Sequence, residues 1–106
     1  MKKIAILMMV LAAALMVISA CAKKEQESRG EALFKQHCSP CHPGGGNVVH
    51  PDKTLEKKVR EGNGVKTAED VMGKMRNPGP GMTKFDEKTI PDADARQIAE
   101  YVVKTF

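Results

Sequence analysis

Hydropathy divides the chain into three unequal stretches. Lys2 and Lys3 open onto residues 4–20, seventeen consecutive positions without a charge. Residues 21–28 are polar and charged and show no apolar period. From residue 29 onward apolar side chains return at spacings of three and four, the repeat of helices that bury one face. No segment alternates convincingly at period two, so residues 29–106 are predicted to form one small all-α domain.

Within that domain the pattern predicts four helices. The first opens at Ser28 or Gly30 and runs to about His37, with Leu33 and Phe34 as its apolar side and Ala32 beside them. Pro43-Gly44-Gly45-Gly46-Asn47 then forces a loop. Leu55 and Val59 stand at i,i+4 in a short helix over residues 55–61, stopped by Gly62 and Gly64. Thr67 reads as the N-cap of a third helix with Glu69 and Asp70 in its first turn and an inward stripe of Val71, Met72 and Met75. Asn77-Pro78-Gly79-Pro80-Gly81 cannot be helix interior and makes a constrained extended loop. A last helix starts near Asp92 or Asp94 and presents Ala95, Ile98, Tyr101, Val102 and Thr105 on one side.

The basic start and uncharged run of residues 1–20 have the form of an export signal, which stands outside the fold argument. Ile18-Ser19-Ala20-Cys21 resembles the lipobox of bacterial lipoproteins. The resemblance implies cleavage before Cys21 and acylation of that cysteine, with residues 21–28 as lipidated cysteine and tether. Cleavage elsewhere, or retention of the run as a membrane anchor, are the alternatives. Each places the domain outside the cytoplasm. Ala22 lacks the aspartate that marks inner-membrane retention in some bacteria, which leans toward the outer membrane and leaves the choice of membrane open.

Export changes the meaning of the three cysteines. Cys38-Ser39-Pro40-Cys41-His42 is a C-x-x-C-H segment, the attachment pattern of a c-type haem: two thiols become thioethers to one porphyrin and the next histidine coordinates iron. With Cys21 lipidated and Cys38 and Cys41 on haem, no thiol is left over. A Cys38–Cys41 disulfide is the plainer alternative, and His42 argues against it. Structural zinc would need two further well-spaced ligands.

Composition supports a bound cofactor. There is no tryptophan, one tyrosine and three phenylalanines, so a domain of this size buries little without help. One haem supplies that apolar mass, and the apoprotein is expected to be poorly folded.

The second axial position has five candidates: His37, His50, Met72, Met75 and Met82. Met82 is the best placed, because it follows a Pro/Gly loop whose backbone can approach a flat ring, and it is far enough from His42 to reach the opposite face. Thioether ligation favours ferrous iron relative to a second imidazole. Met72 and Met75 read as core residues. His50 has the spacing of a loop residue, and His37 reads as a solvated histidine at a helix end. The carbonyl of Pro43 or Pro51 could accept the ring N–H of His42.

Gly30-x-x-x-Phe34-x-x-x-Cys38-x-x-Cys41-His42 resembles the start of a class I mono-haem cytochrome c of the small bacterial type, and Asn77-Pro78-Gly79-Pro80-Gly81-Met82 resembles its distal methionine loop. The likeness runs from about Gly30 to Phe106. It implies the cytochrome c fold, short helices around one covalently bound haem, with Gly30, Phe34 and Tyr101 meeting where the first and last helices cross. Many small bacterial members place proline directly after the distal methionine; this chain has Thr83.

Closed ligation by His42 and Met82 suits a carrier of single electrons between extracytoplasmic redox proteins, and no enzyme activity is expected. No nucleophile–base arrangement or phosphate-binding loop is present, and Asp86, Glu87, Asp92, Asp94 and Glu100 read as surface charges. A haem-based sensor or small-ligand-binding module with a labile Met82 bond is the alternative. Loss of Lys2 and Lys3 lowers the formal charge from +4 to +2. That balance permits steering toward acidic docking surfaces, with Lys66, Lys74, Arg76 and Lys84 as the cationic candidates. Arg76 could instead pair with a haem propionate. Acidic residues interrupt every basic stretch, so no nucleic-acid partner is expected.

Overall fold

The computed structural model describes residues 1–106 and contains only helices: α1 (Lys2–His37), a 3-10 turn (Pro43–Gly45), α2 (Lys57–Gly62), α3 (Ala68–Arg76) and α4 (Asp92–Thr105). The all-α expectation holds.

The first helix starts far earlier than expected. It runs unbroken through residues 21–28, where the sequence reads as a tether. The reason is local: Ala22, Lys23, Lys24, Glu25, Gln26 and Glu27 are strong helix formers, and neither glycine nor proline interrupts them. Glu27 also pairs with Lys104 of α4, an exposed contact that adds little by itself. The apolar first half of α1 packs against nothing, and it is long and apolar enough to cross a membrane. The molecule is 66 Å in its longest dimension.

The core sits where α1, α3 and α4 meet. Phe34, Val71, Met75, Ile90, Ala95, Ile98, Ala99 and Val102 form it, with Ile90 and Ile98 fully enclosed. Close approach of α1 to α4 requires Gly30: a Cβ there would lie 2.5 Å from the Gln97 carbonyl oxygen and 3.1 Å from Tyr101 Cβ. One turn along, Phe34 meets Tyr101 at 5.3 Å between ring centroids. Phe106 completes the cluster at 5.4 Å from Phe34 and 6.0 Å from Tyr101. Arg29–Asp94 and Arg96–Glu69 tie α4 to α1 and α3 at 2.6 and 2.9 Å.

The remaining elements follow from their ends. Thr67 Oγ1 accepts the Asp70 N–H and the Asp70 carboxylate accepts the Thr67 N–H, a reciprocal cap that starts α3. α2 begins at Lys57 rather than Leu55: Glu56 has non-helical backbone at φ −54°, ψ 135°, and the Leu55 N–H goes to the Gly45 carbonyl. Ala32 and Thr105, read as facing inward, are exposed. Each lies at the edge of its apolar stripe, where the helix has turned away from its neighbour.

Candidate haem-binding site

The Cys38-Ser39-Pro40-Cys41-His42 segment is a continuation of α1 rather than a free loop. The N–H groups of Cys38 and Ser39 donate to the Phe34 carbonyl at 2.8 and 3.0 Å. The N–H groups of Cys41 and His42 both donate to the Cys38 carbonyl, at 3.1 and 2.8 Å. Two thiols and an imidazole are thus gathered in one turn, with Phe34 anchoring it to the helix crossing.

The two thiols differ. Cys38 is half-buried against the core, whereas Cys41 is exposed. Burial, with a smaller contribution from Cys41, pushes the Cys38 thiol up to about 11, so it is held as the neutral S–H at neutral pH. Cys21 is exposed on α1, well before this turn.

His42 is oriented by a neighbour not anticipated from sequence. Its Nδ1 lies 2.8 Å from the Gly46 carbonyl, not from Pro43 or Pro51. The 3-10 turn at Pro43–Gly45 curls the chain back, with Gly44 and Gly45 at φ 59° and 82°, so that the Gly46 carbonyl meets the ring. Those angles suit glycine, which explains two of the three consecutive glycines. Gly45 also packs closely beneath Phe106. With Nδ1 engaged as donor, Nε2 is the nitrogen left for a metal.

Met82 is partly buried against the same core as Cys38. Its backbone is lightly held, the N–H reaching the Gly79 carbonyl only at 3.4 Å. Met75 is 3% exposed and belongs to the core, and Met72 packs beside it. His50 lies against the distal loop, its Nε2 3.3 Å from the Pro80 carbonyl. Gly81, at φ 88°, leaves room for this contact, since a Cβ would stand 2.9 Å from Val49 and 3.2 Å from His50 Nε2. His37 is not simply solvated: its ring meets Phe85 edge-on at 6.2 Å. Arg76 donates to the Phe85 carbonyl at 3.0 Å and pairs with Asp92 at 2.6 Å, so its fork is already engaged within the protein.

These residues fit a haem. The donor set is two thiols, an oriented imidazole with a free nitrogen, and a thioether beside the same core. That core is thin, with only 11 of 106 residues buried, and a large apolar plate would complete it. Thr54 Oγ1 is the single buried side-chain polar atom without a partner, next to Leu55 and its bond to Gly45, where a haem carboxylate could serve as acceptor. A groove of about 520 Å³ between the polar part of α1 and α4 has the wrong lining for a porphyrin: Tyr101 alone among charged and polar residues.

Arg60 was not visible as a functional or structural residue in the sequence. It is 4% exposed, its Nε and Nη1 donating to the carbonyls of Leu55 and Val65 at 3.0 Å each, and so joins the segments on either side of α2. No acidic side chain offsets that charge at hydrogen-bond distance.

Comparison with known proteins places the chain among the cytochromes. Residues 25–102 match the family described as cytochrome c oxidase, cbb3-type, subunit III. The chain is 36% identical over 74 residues to cytochrome c6 of Pyropia tenera, covering 70% of this chain and 86% of that protein. It is 34% identical over 74 residues to cytochrome c6 of Cyanidium caldarium, again over 70% of this chain, and spans 66% of that longer protein. The solved structure of OmcF, outer membrane cytochrome F of Geobacter sulfurreducens, superposes with a TM-score of 0.71 at 57% identity, over 73% of this chain and 98% of that one.

Proposed function

The chain belongs to the c-type cytochrome family of small electron carriers, and from that premise we propose the residues and place of its action. Cys38 and Cys41 would hold one haem through thioethers, and His42 and Met82 would bind its iron. The observation that carries this reading is the commitment of His42 Nδ1 to the Gly46 carbonyl within the turn that presents both thiols, which leaves Nε2 for iron.

When bound, the haem supplies a one-electron couple at iron. The protein's own residues do the rest. Gly46 keeps His42 in one tautomer and one orientation. The Phe34 carbonyl and the helix crossing keep the thiol turn rigid, so that change of oxidation state demands little movement. Met82, from the Pro/Gly loop, would keep outside ligands from the iron, which favours electron exchange over substrate chemistry. Partners are extracytoplasmic redox proteins that meet the domain in brief, small-area encounters.

Acylation of Cys21 after removal of residues 1–20 would hold the domain at the periplasmic side of a bacterial membrane. The likeness to outer membrane cytochrome F supports the outer membrane. About two and a half helical turns separate Cys21 from Gly30, so the domain would sit close to the lipid.

The test is an optical spectrum of the haem-loaded protein in both oxidation states. The expected result is a weak near-infrared sulfur-to-ferric-iron band that disappears in Met82→Ala, and no carbon monoxide binding by the reduced unmutated protein. Absence of the band, or ready gas binding, would overturn Met82 ligation and favour an open-site sensor. For the anchor, mass spectrometry of membrane-extracted protein should show an acylated N-terminal Cys21; an unmodified Cys21 would refute it.

A further inference from the structure

We propose that Arg76 is a positioning residue for the distal ligand, acting as the clasp at the neck of the loop that carries Met82. This inference rests on the Met82 ligation proposed above.

Residues 77–84 leave α3 immediately after Arg76 and return at Phe85. At the neck, the Phe85 N–H donates to the Met75 carbonyl at 2.9 Å. Arg76 Nη1 donates to the Phe85 carbonyl at 3.0 Å, so both backbone polar groups of Phe85 are fixed by two consecutive residues at the end of α3. Arg76 Nη2 is held in turn by Asp92 Oδ1 at 2.6 Å, at the first residue of α4. The guanidinium therefore bridges the end of one helix, the return of the loop and the start of another. Its side chain is only 23% exposed, which shields the fork more than an ordinary surface pair. His37 adds an edge contact to the Phe85 ring from the residue preceding Cys38, so the neck is also joined to the thiol turn.

Inside the loop the ties are few: His50 Nε2 lies 3.3 Å from the Pro80 carbonyl, beside Gly81. Gly79, Pro80, Gly81, Thr83 and Lys84 are exposed, and the Met82 N–H has only its long contact to Gly79. A thioether bond to iron competes with outside ligands through the local concentration of the sulfur, and that concentration depends on how firmly the loop ends are joined. A planar guanidinium can bond a carbonyl and a carboxylate at once, which a lysine cannot reproduce with the same geometry. Arg76 thus acts on the iron through Phe85 and the loop, without touching the haem.

The experiment titrates imidazole into the ferric haem-loaded protein, following loss of the sulfur-to-iron band, for the unmutated chain, Arg76→Met and Arg96→Met. Arg96→Met removes a different interhelical ion pair, with Glu69, and serves as the control for general loosening. Opening the clasp is expected to raise the apparent imidazole affinity about tenfold, the scale of one lost hydrogen bond to a charged group. Arg96→Met should stay within twofold. Phe85 amide hydrogen exchange should accelerate in Arg76→Met and not in Arg96→Met.

A rise below threefold in Arg76→Met, or an equal rise in both variants, overturns the proposal. Should Arg76→Met fail to take up haem, Asp92→Asn loosens the same clasp with Arg76 in place, and an affinity within twofold of the unmutated chain is then the overturning result. A missing sulfur band in the unmutated protein, or one that survives Met82→Ala, is a separate outcome that sinks Met82 ligation and this proposal with it.

Discussion

The thiol turn and the methionine loop face the same core but are held by different means. Cys38, Cys41 and His42 are carried on the last turn of α1, and every backbone donor among Cys38, Ser39, Cys41 and His42 finds a carbonyl within five residues. Met82 sits in an exposed loop whose neck is fixed from outside, at Met75, Arg76 and Asp92, with His50 touching it at the Pro80 carbonyl. One side of the site is therefore set by local chain geometry, and the other by closure between elements far apart in sequence. On the proposed ligation, the attachment side would be rigid by local geometry, while closure of the iron would depend on a few distant contacts.

The sharpest way to break that comparison is to remove each side in turn. Cys38→Ser with Cys41→Ser should abolish covalent haem and cooperative unfolding together, seen by mass spectrometry of the denatured protein and by circular dichroism, because eight buried apolar residues make too thin a core alone. Met82→Ala should leave haem attached and the helices folded. A double serine variant that unfolds as cooperatively as the unmutated protein would show that the core needs no cofactor.

Next in size is the crossing that supports the thiol turn. Gly30→Val places a side chain where a Cβ already lies 2.5 Å from the Gln97 carbonyl, and should lower stability by about 1–3 kcal/mol in urea unfolding. Its effect on the sulfur-to-iron band should be slight, since the loop neck is elsewhere. Thr67→Ala removes half of the reciprocal cap that starts α3 and should cost about 1 kcal/mol. An unchanged unfolding midpoint in either variant would refute the corresponding contact.

The smallest effect is a pH dependence. The Thr89 N–H and hydroxyl, bonded to Asp86, hold its carboxyl below its ordinary value of 3.8. The backbone N–H groups of Thr67 and Lys66 do the same for Asp70. A depressed carboxyl contributes stability above its unfolded-state value and loses it as pH falls through the folded one. Unfolding midpoints should therefore decline below about pH 4. Asp86→Asn should flatten that decline, and a slope unchanged in both Asp86→Asn and Asp70→Asn would rule these carboxylates out as its source.

Much of the fold was legible because its signals are local. The Thr67 cap, the stop at Gly62, the proline and glycine punctuation of the loops and the inward faces of α3 and α4 all depend on residues within a turn or two. Gly30, Phe34 and Tyr101 were recognisable through their likeness to a known helix crossing. Other features gave weaker signals. Arg60 gave no signal of its role, yet it is buried against the carbonyls of Leu55 and Val65. Residues 21–28 lack apolar periodicity, but helix propensity suffices there when a helix on each side supplies the nucleus.

The sequence by itself determined the chemistry on offer: two thiols and a histidine at fixed spacing, one helical class, and an apolar N-terminal run followed by a cysteine. These are properties of residue type and short spacing, and no folding is needed to read them. Only the tertiary structure decided which carbonyl orients His42, which aromatic completes the crossing beside Phe34, and what joins the two ends of the methionine loop. Each of those depends on where a chain returns in space. A return is set by the summed packing of distant helices rather than by any one residue's preference.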